Sequence, residues 1–324
     1  MPLDHFVSQV HLRRFNSPEL GDRFHAIRKR DLRYFTPNSK SVCRIEGGSS
    51  NPYLSEERSI EEFLRQVEPN YNRAVERIID DEIDPETIYT IAGFVAYVLA
   101  CSPAAMRQHS TWLALYVKQF ATEMDKRGIV PPAPEELENR RLSDLLDDGT
   151  VRVEIDPKYP QSMGIAQIVQ QTHIFGNAPW HILRNDNKDA PFFTSDFPIA
   201  TVRQNGRTAT RIVPLCPTLG VAITPNAETV RSPIDLTFKG FKRTSQILRR
   251  HDAVNINRQI VRAAESEVYF SNYMRWVDRF VRDNANYRTE IAASTRRDSG
   301  RPYIHAPTEI RPYNWPKAEI ESDT

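Results

Sequence analysis

The sequence predicts an α+β protein, and three observations carry that prediction. Helical periodicity fills the middle of the chain, the apolar period shortens toward two after Trp180, and the strand-like runs cluster there. A doubly wound sheet would instead alternate strands with helices. The expected order is an N-terminal helix and strands, a central helical block, then a C-terminal antiparallel sheet followed by a helix. A single domain is expected over 1–284, with an extended arm or frayed tail over 285–324. At 324 residues, 40% apolar and 26% charged, the chain has globular proportions and can bury a large core.

DHFVSQVHLRRF (4–15) reads as a helix with His5, Gln9 and Leu12 or Arg13 on one face, while Phe6, Val10 and Phe15 turn toward a core. RFHAIRKRDLRYF (23–35) reads as a strand pair with a polar turn near Arg28–Asp31. From Ser59 apolar residues recur at helical spacing through Ile78; Ser59 with Glu62 forms a capping-box pattern, and Pro69 predicts a kink or break. Asp84 and Pro85 supply the N-cap and first position of the most buried helix. Further helices follow over 104–126, a short acidic stretch over 135–148, and 161–175. WHILRND, APFFTSDFPIATV, ATRIVPLCP, GVAITP and DLTFKGF read as strands. AVNINRQIVRAAESEVYFSN (253–272) then returns to helix, with Asn255 as its N-cap.

Composition narrows the function classes. The apolar run IAGFVAYVLAC (91–101) is about half the length needed to cross a bilayer, so it predicts a buried helix and no membrane span. No signal-peptide pattern opens the chain, and three widely spaced cysteines fit neither a disulfide framework nor a zinc ribbon. A cytoplasmic location is expected. Walker, GxGxxG, HExxH and GxSxG patterns are absent from the sequence, and only 12 glycines are present to build phosphate-cradling loops. Net charge is +1 but uneven: residues 1–44 carry nine Lys+Arg against four Asp+Glu, and 239–262 carry seven against one. Such stretches either steer a polyanion or form solvated faces.

Four polar groups stand where structure does not obviously ask for them. His5 and Gln9 can bind a phosphate or orient a water, or hold a loop by hydrogen bonds. Glu61 and Glu68, seven residues apart, share a helical face and can hold a divalent ion or act as acid and base; they can equally be solvated side chains. Asp196 in TSDFP suits a metal-bound or general-base carboxylate, and equally an Asx turn before proline. Asn257, one turn beyond the expected cap, needs its own explanation.

These segments together resemble the bacterial and phage-associated family catalogued as domain of unknown function 4238. Its members open with H-F-V-P-Q-x-x-L-R-x-F and carry a T-S-D-N-P element. The matching residues here are HFVSQVHLRRF, Ile60 to Glu68, FFTSDFPI and Asn257 to Ala263. Ser8 stands where the family has proline, and Phe197 where it has asparagine. The resemblance groups the segments and implies no established activity.

The leading expectation is a phosphodiester hydrolase, a nuclease serving as a toxin or in anti-phage defence. Its catalytic set would be His5, Gln9, Glu68 and Asp196, with Glu61, Glu68 and Asp196 holding Mg²⁺ or Mn²⁺ and Asn257 contributing nearby. Arg13, Arg28, Arg30, Lys242, Arg243 and Arg258 would contact nucleic acid. The rival expectation is a non-catalytic binding or sensor module whose polar residues form an internal network. An open cleft lined by arginines favours the first reading, and a sealed core the second.

Overall fold

Short elements open the chain: β1 (Leu3–His5), α1 (Gln9–Arg13), β2 (His25–Arg28), β3 (Tyr34–Phe35) and β4 (Arg44–Glu46). The structure, a computed structural model, describes residues 3–204, 208–298 and 301–316. Helices α2 (Ser59–Val67), α3 (Tyr71–Ile79), α4 (Pro85–Cys101), α5 (Pro103–Lys126), α6 (Leu142–Asp147), α7 (Lys158–Ala166) and α8 (Ile168–Gly176) form the central block. The α+β class is therefore observed, with helices and sheets segregated along the chain.

Helix α4 is the centre of the block because its sequence is apolar on every face. Asp84 accepts the Thr87 N–H at 2.8 Å and Pro85 takes the first position, as expected. Ser102 ends α4 and caps α5, accepting from the Ala105 N–H. Two glycines let neighbours close on this core. A Cβ on Gly93 would stand 2.9 Å from Val67 Cγ2, and one on Gly164 would stand 3.0 Å from Ala100 Cβ. The break between α2 and α3 falls at Pro69, where the ring has no N–H to continue the helix.

Beyond the block lie β5 (Trp180–Arg184), β6 (Thr194–Ser195), β7 (Ala200–Gln204), β8 (Thr208–Cys216), β9 (Leu219–Ile223), α9 (Ala227–Arg231), β10 (Arg243–Ile247), α10 (Arg250–Ala263), β11 (Glu267–Phe270) and α11 (Val277–Asn284). One sheet has the order β10-β5-β9-β8-β7, antiparallel except for the parallel pairing of β10 with β5. The other has the order β3-β2-β11-β6, so β11 brings residues 25–28 and 194–195 to either side of itself.

Several local expectations are corrected. His5 ends a strand, and the first helix starts only at Gln9. Ser59 lies inside α2, whose N-cap Arg58 makes no side-chain cap bond, so the capping box does not form. The 161–175 helix is two helices divided at Gln167. Asp235–Phe241 is not a strand; its place at the sheet edge is taken by β10. EVYF leaves the expected helix to become β11, because its β-branched and aromatic residues fill a central strand. Asn255 is no cap: α10 begins five residues earlier, and the Asn255 amide meets His251.

The C-terminal segment is not a frayed tail over its described part. β12 (Tyr287–Ile291) pairs with β15 (Thr308–Pro312), and between them β13 (Ser294–Asp298) pairs with β14 (Arg301–His305). Arg107 of α5 anchors this ribbon. Its guanidinium grips Glu265 through two 2.8 Å bonds and donates to Glu290 at 2.7 Å. Residues 317–324 of the expected tail lie outside the described residues.

Asn257 is fully buried, and its role is now clear. Its Oδ1 accepts the Phe193 N–H at 2.9 Å, and its Nδ2 donates to the Pro191 carbonyl at 2.8 Å. The side chain acts as a substitute strand partner for the backbone leading into TSDFP. Asn257→Ala leaves both backbone groups unpaired, and we expect it to lower stability by about 2–4 kcal/mol, read as the shift in a urea-unfolding midpoint.

Candidate functional site

The opening segment and α2 face each other across an open cleft of about 580 Å³. His5, Gln9, Arg13, Glu61 and Glu68 all line it, so five of the residues singled out from sequence meet in one place. The His5 ring is fixed from behind: its Nε2 lies 3.1 Å from the Ser39 carbonyl. A carbonyl only accepts, so Nε2 carries the proton and Nδ1 keeps its lone pair. A long 3.5 Å contact runs from Gln9 Nε2 to that Nδ1. Gln9 Oε1 in turn accepts from Arg13 Nη2 at 2.9 Å, and Arg13 Nε donates to the Ser39 hydroxyl at 3.3 Å. The ring of contacts closes through Ser39.

Burial lowers the His5 pKa and the nearby Arg44 adds to this, while the hydrogen bond to Ser39 and the negative charge of Glu68 oppose it. The imidazole is therefore neutral at pH 7. Ser8 donates its hydroxyl to Glu68 Oε1 at 2.6 Å, a contact that a proline at this position could not make. The departure from the family pattern thus adds a donor that orients Glu68. Glu61 is paired with Arg58, and that hydrogen bond holds its carboxyl below the usual range. Glu62 points away and pairs with Arg65 on the exposed face. Arg65 itself lines the cleft and was not singled out from sequence; its spacing from Glu61 (i+4) and Glu68 (i−3) was the available signal.

Asp196 does not join this cleft. It lines a second cavity of about 710 Å³ with Cys43, Glu265, Glu267 and Tyr269. Its Oδ1 accepts the Glu265 N–H at 2.9 Å, and its Oδ2 accepts the N–H groups of Ser266 and Glu267 at 2.7 and 3.0 Å. Burial and the carboxylates of Glu267 and Glu265 push the Asp196 carboxyl up to about 8, against the pull of Lys29 and the Ser266 amide. Both oxygens are committed to backbone, which corrects the reading of Asp196 as a catalytic base. Nor do Glu61, Glu68 and Asp196 form one ligand set: no cluster of three or more His, Cys, Asp or Glu able to hold a metal ion occurs among the described residues. Burial raises the Cys43 thiol in the second cavity well above its ordinary range, which disfavours the nucleophilic thiolate.

The opening segment does reach TSDFP, through His11 rather than His5. His11 is fully buried, with Nδ1 2.7 Å from the Tyr71 hydroxyl and Nε2 2.8 Å from the Thr194 hydroxyl. Its ring stacks on Phe94 of α4 with centroids 4.8 Å apart. Sequence reasoning passed over it; a histidine between Val10 and Leu12 was the only hint. Phe197 is buried in the core, so the family's asparagine position here serves packing.

The proposed nucleic-acid contacts do not form a track. Of the six, only Arg13 lines the cleft. Arg28 pairs with Asp31 at the β2–β3 turn, where Arg30 is exposed. Arg243, next to the exposed Lys242, pairs with Asp81 at 3.0 Å, and Arg258 donates to Asn255 at 2.5 Å.

Two outcomes are expected. In Asp196→Asn one acceptor oxygen must serve three N–H donors and the amide NH₂ meets another donor, so stability should fall by about 3 kcal/mol. Thermal melts check this, and any turnover per folded molecule should be unchanged. His11 has its pKa lowered to about 3 by burial and then by Arg14. The unfolded chain binds its proton near pH 6.5 and the folded chain does not, so His11 destabilises the fold progressively as pH drops from 6.5 toward 3. Between pH 7 and 5 this costs about 2 kcal/mol. Urea midpoints for wild type and His11→Gln should diverge at pH 7 and converge at pH 5.

The sequence profile of the family described as "Protein of unknown function (DUF4238)" matches residues 4–273. Comparison with curated proteins and with solved structures gives no match.

Proposed function

For a chain that belongs to the DUF4238 family, we propose that the cleft between the opening segment and α2 hydrolyses a phosphodiester by acid–base chemistry. One observation carries the reading: a neutral imidazole, its tautomer set by a backbone carbonyl, presents Nδ1 to an open cleft that also holds Arg13 and Glu68. Nδ1 takes the proton of an attacking water as its oxygen bonds to phosphorus. Glu68 stabilises the imidazolium that forms, and Arg13 offsets charge on the phosphoryl oxygens. The imidazolium then returns its proton to the departing alkoxide as the P–O bond breaks.

The expected three-carboxylate metal set is not assembled, so no step is routed through Mg²⁺ or Mn²⁺. The cleft volume falls in the class of small-molecule sites. A nucleotide-sized or short single-stranded substrate fits this better than a duplex, since Arg28 and Arg243 are occupied by acidic partners. Use as a toxin or in anti-phage defence would follow from such an activity on cellular RNA. The rival module reading is supported by Asp196, Asn257 and His11, whose polar atoms serve interior contacts, and it would extend to the cleft if no turnover is found.

The test is turnover of a short RNA, single-stranded DNA and bis(4-nitrophenyl) phosphate, with and without EDTA. Wild type should act in EDTA, and His5→Asn should lose about 10²- to 10⁴-fold in kcat/KM without losing its melting transition. Glu68→Gln should lose more than Glu62→Gln. Because the His5 pKa lies below its ordinary value, the rate should be flat at neutral pH and fall only on acidification. Absence of turnover on all three substrates would remove the proposal.

A further inference from the structure

A third cavity lies away from this cleft, enclosed between α4, α5, α7, α8 and the sheet, with a volume of about 190 Å³. Arg211 of β8 lines it, and so do Gln108, Gln171 and Thr201. The Nε and Nη1 atoms of Arg211 are sealed from solvent, and among the described residues neither has a hydrogen-bond partner. The buried Gln108 Nε2, also on this wall, has no partner among the described residues either. Arg211 is partly buried as a whole, but guanidinium N–H groups sealed from water without an acceptor are costly, and native interiors pair such groups. Burial, and then the adjacent Arg203, pull the Arg211 pKa down to about 10, the direction expected of a cation lacking its anion.

The rest of the lining is mixed: Leu99, Phe175 and Phe197 are apolar, while His109, Gln167 and Thr308 are polar. Through His109, Gly164 and Gln167 the cavity borders a more open hollow of about 170 Å³, lined by Trp112, Leu113, Pro160 and Met163. Trp112 and Met163 are large apolar side chains left partly exposed there. Inner donors beside an outer apolar wall describe a site for an amphiphile with an anionic head.

We propose that Arg211 and Gln108 bind the carboxylate of a small organic acid whose apolar body extends toward Trp112 and Met163. Arg211 Nε and Nη1 point to different sides of the guanidinium, so a carboxylate oxygen meets one of them in a charge-assisted hydrogen bond, and the Gln108 amide is a second donor. The site is separate from the His5 cleft, so its ligand is a regulator or cargo rather than the substrate proposed above.

Isothermal titration of the full chain with acetate, hexanoate and inorganic phosphate tests this. Hexanoate should bind at least about tenfold more tightly than acetate, from the extra methylenes buried. Arg211→Gln should weaken hexanoate at least about tenfold. It should also melt no lower than wild type without ligand, since an unpaired buried charge has been removed; an arginine with a purely structural role would melt lower. Trp112→Ala, at an exposed position, should erase the preference for hexanoate while keeping acetate binding, which tests the site even if the Arg211 variant does not fold. No heat with any anion, or equal hexanoate affinity in Arg211→Gln, would overturn the site. Binding of phosphate alone would overturn the carboxylate assignment.

Discussion

The turn between α10 and β11 is held from both sides by two buried ionisable side chains, and most of the tertiary arrangement depends on that grip. Asp196 receives the N–H groups of residues 265–267, while Lys29 Nζ donates to the carbonyls of Ala264 at 2.7 Å and Tyr287 at 2.8 Å. Each would be expensive to bury alone. Here the carboxyl meets the donors that open β11, and the ammonium meets the carbonyl that closes α10 and the one that opens β12. Burial still pulls the Lys29 ammonium down to about 7. Through these contacts a strand from residues 25–28, the TSDFP turn, α10 and the C-terminal ribbon share a single backbone segment. Glu265, gripped by Arg107, extends the same junction to α5.

The cleft inherits its rigidity from this arrangement without sharing its residues. His11, six residues after His5, is locked between Tyr71, Thr194 and Phe94, so the opening segment is held against both the helical block and the sheet. Its other face is then free to present His5, Gln9 and Arg13 to solvent and to α2. Ser39, from the loop between β3 and β4, closes the hydrogen-bonded ring behind the imidazole. The motif therefore contains two kinds of polar residue: His11 works inward as a structural pin, while His5 faces outward into the cleft, where it is the base of the proposed reaction.

Much of this was legible in the chain because it depends on local spacing. The cap at Asp84–Pro85, the break at Pro69, the period of two after Trp180 and the likeness of the four polar segments to one family all follow from residues within a few positions of each other. The pairing of His5 with Gln9 survived even though the helix begins after His5, since the turn between them keeps the two side chains adjacent. The C-terminal ribbon was not legible. Its strands are short and interrupted by Pro, Arg and Ser, and the ribbon is held by Arg107, some 180 residues earlier in the chain.

What the sequence by itself determined is the fold class, the central apolar helix and the residues from two segments that line the cleft. Only the tertiary structure decided which polar residues face the cleft and which serve the interior. Asp196, Asn257 and His11 have the same letters as catalytic residues, but their partners are backbone groups and hydroxyls brought close by distant pairing. Arg211 makes the converse point: a strand arginine that reads as surface has its Nε and Nη1 sealed beside the helical block, with no partner for either among the described residues. A side chain's chemistry is set by its solvation and its neighbours, and neither exists until the chain has closed on itself.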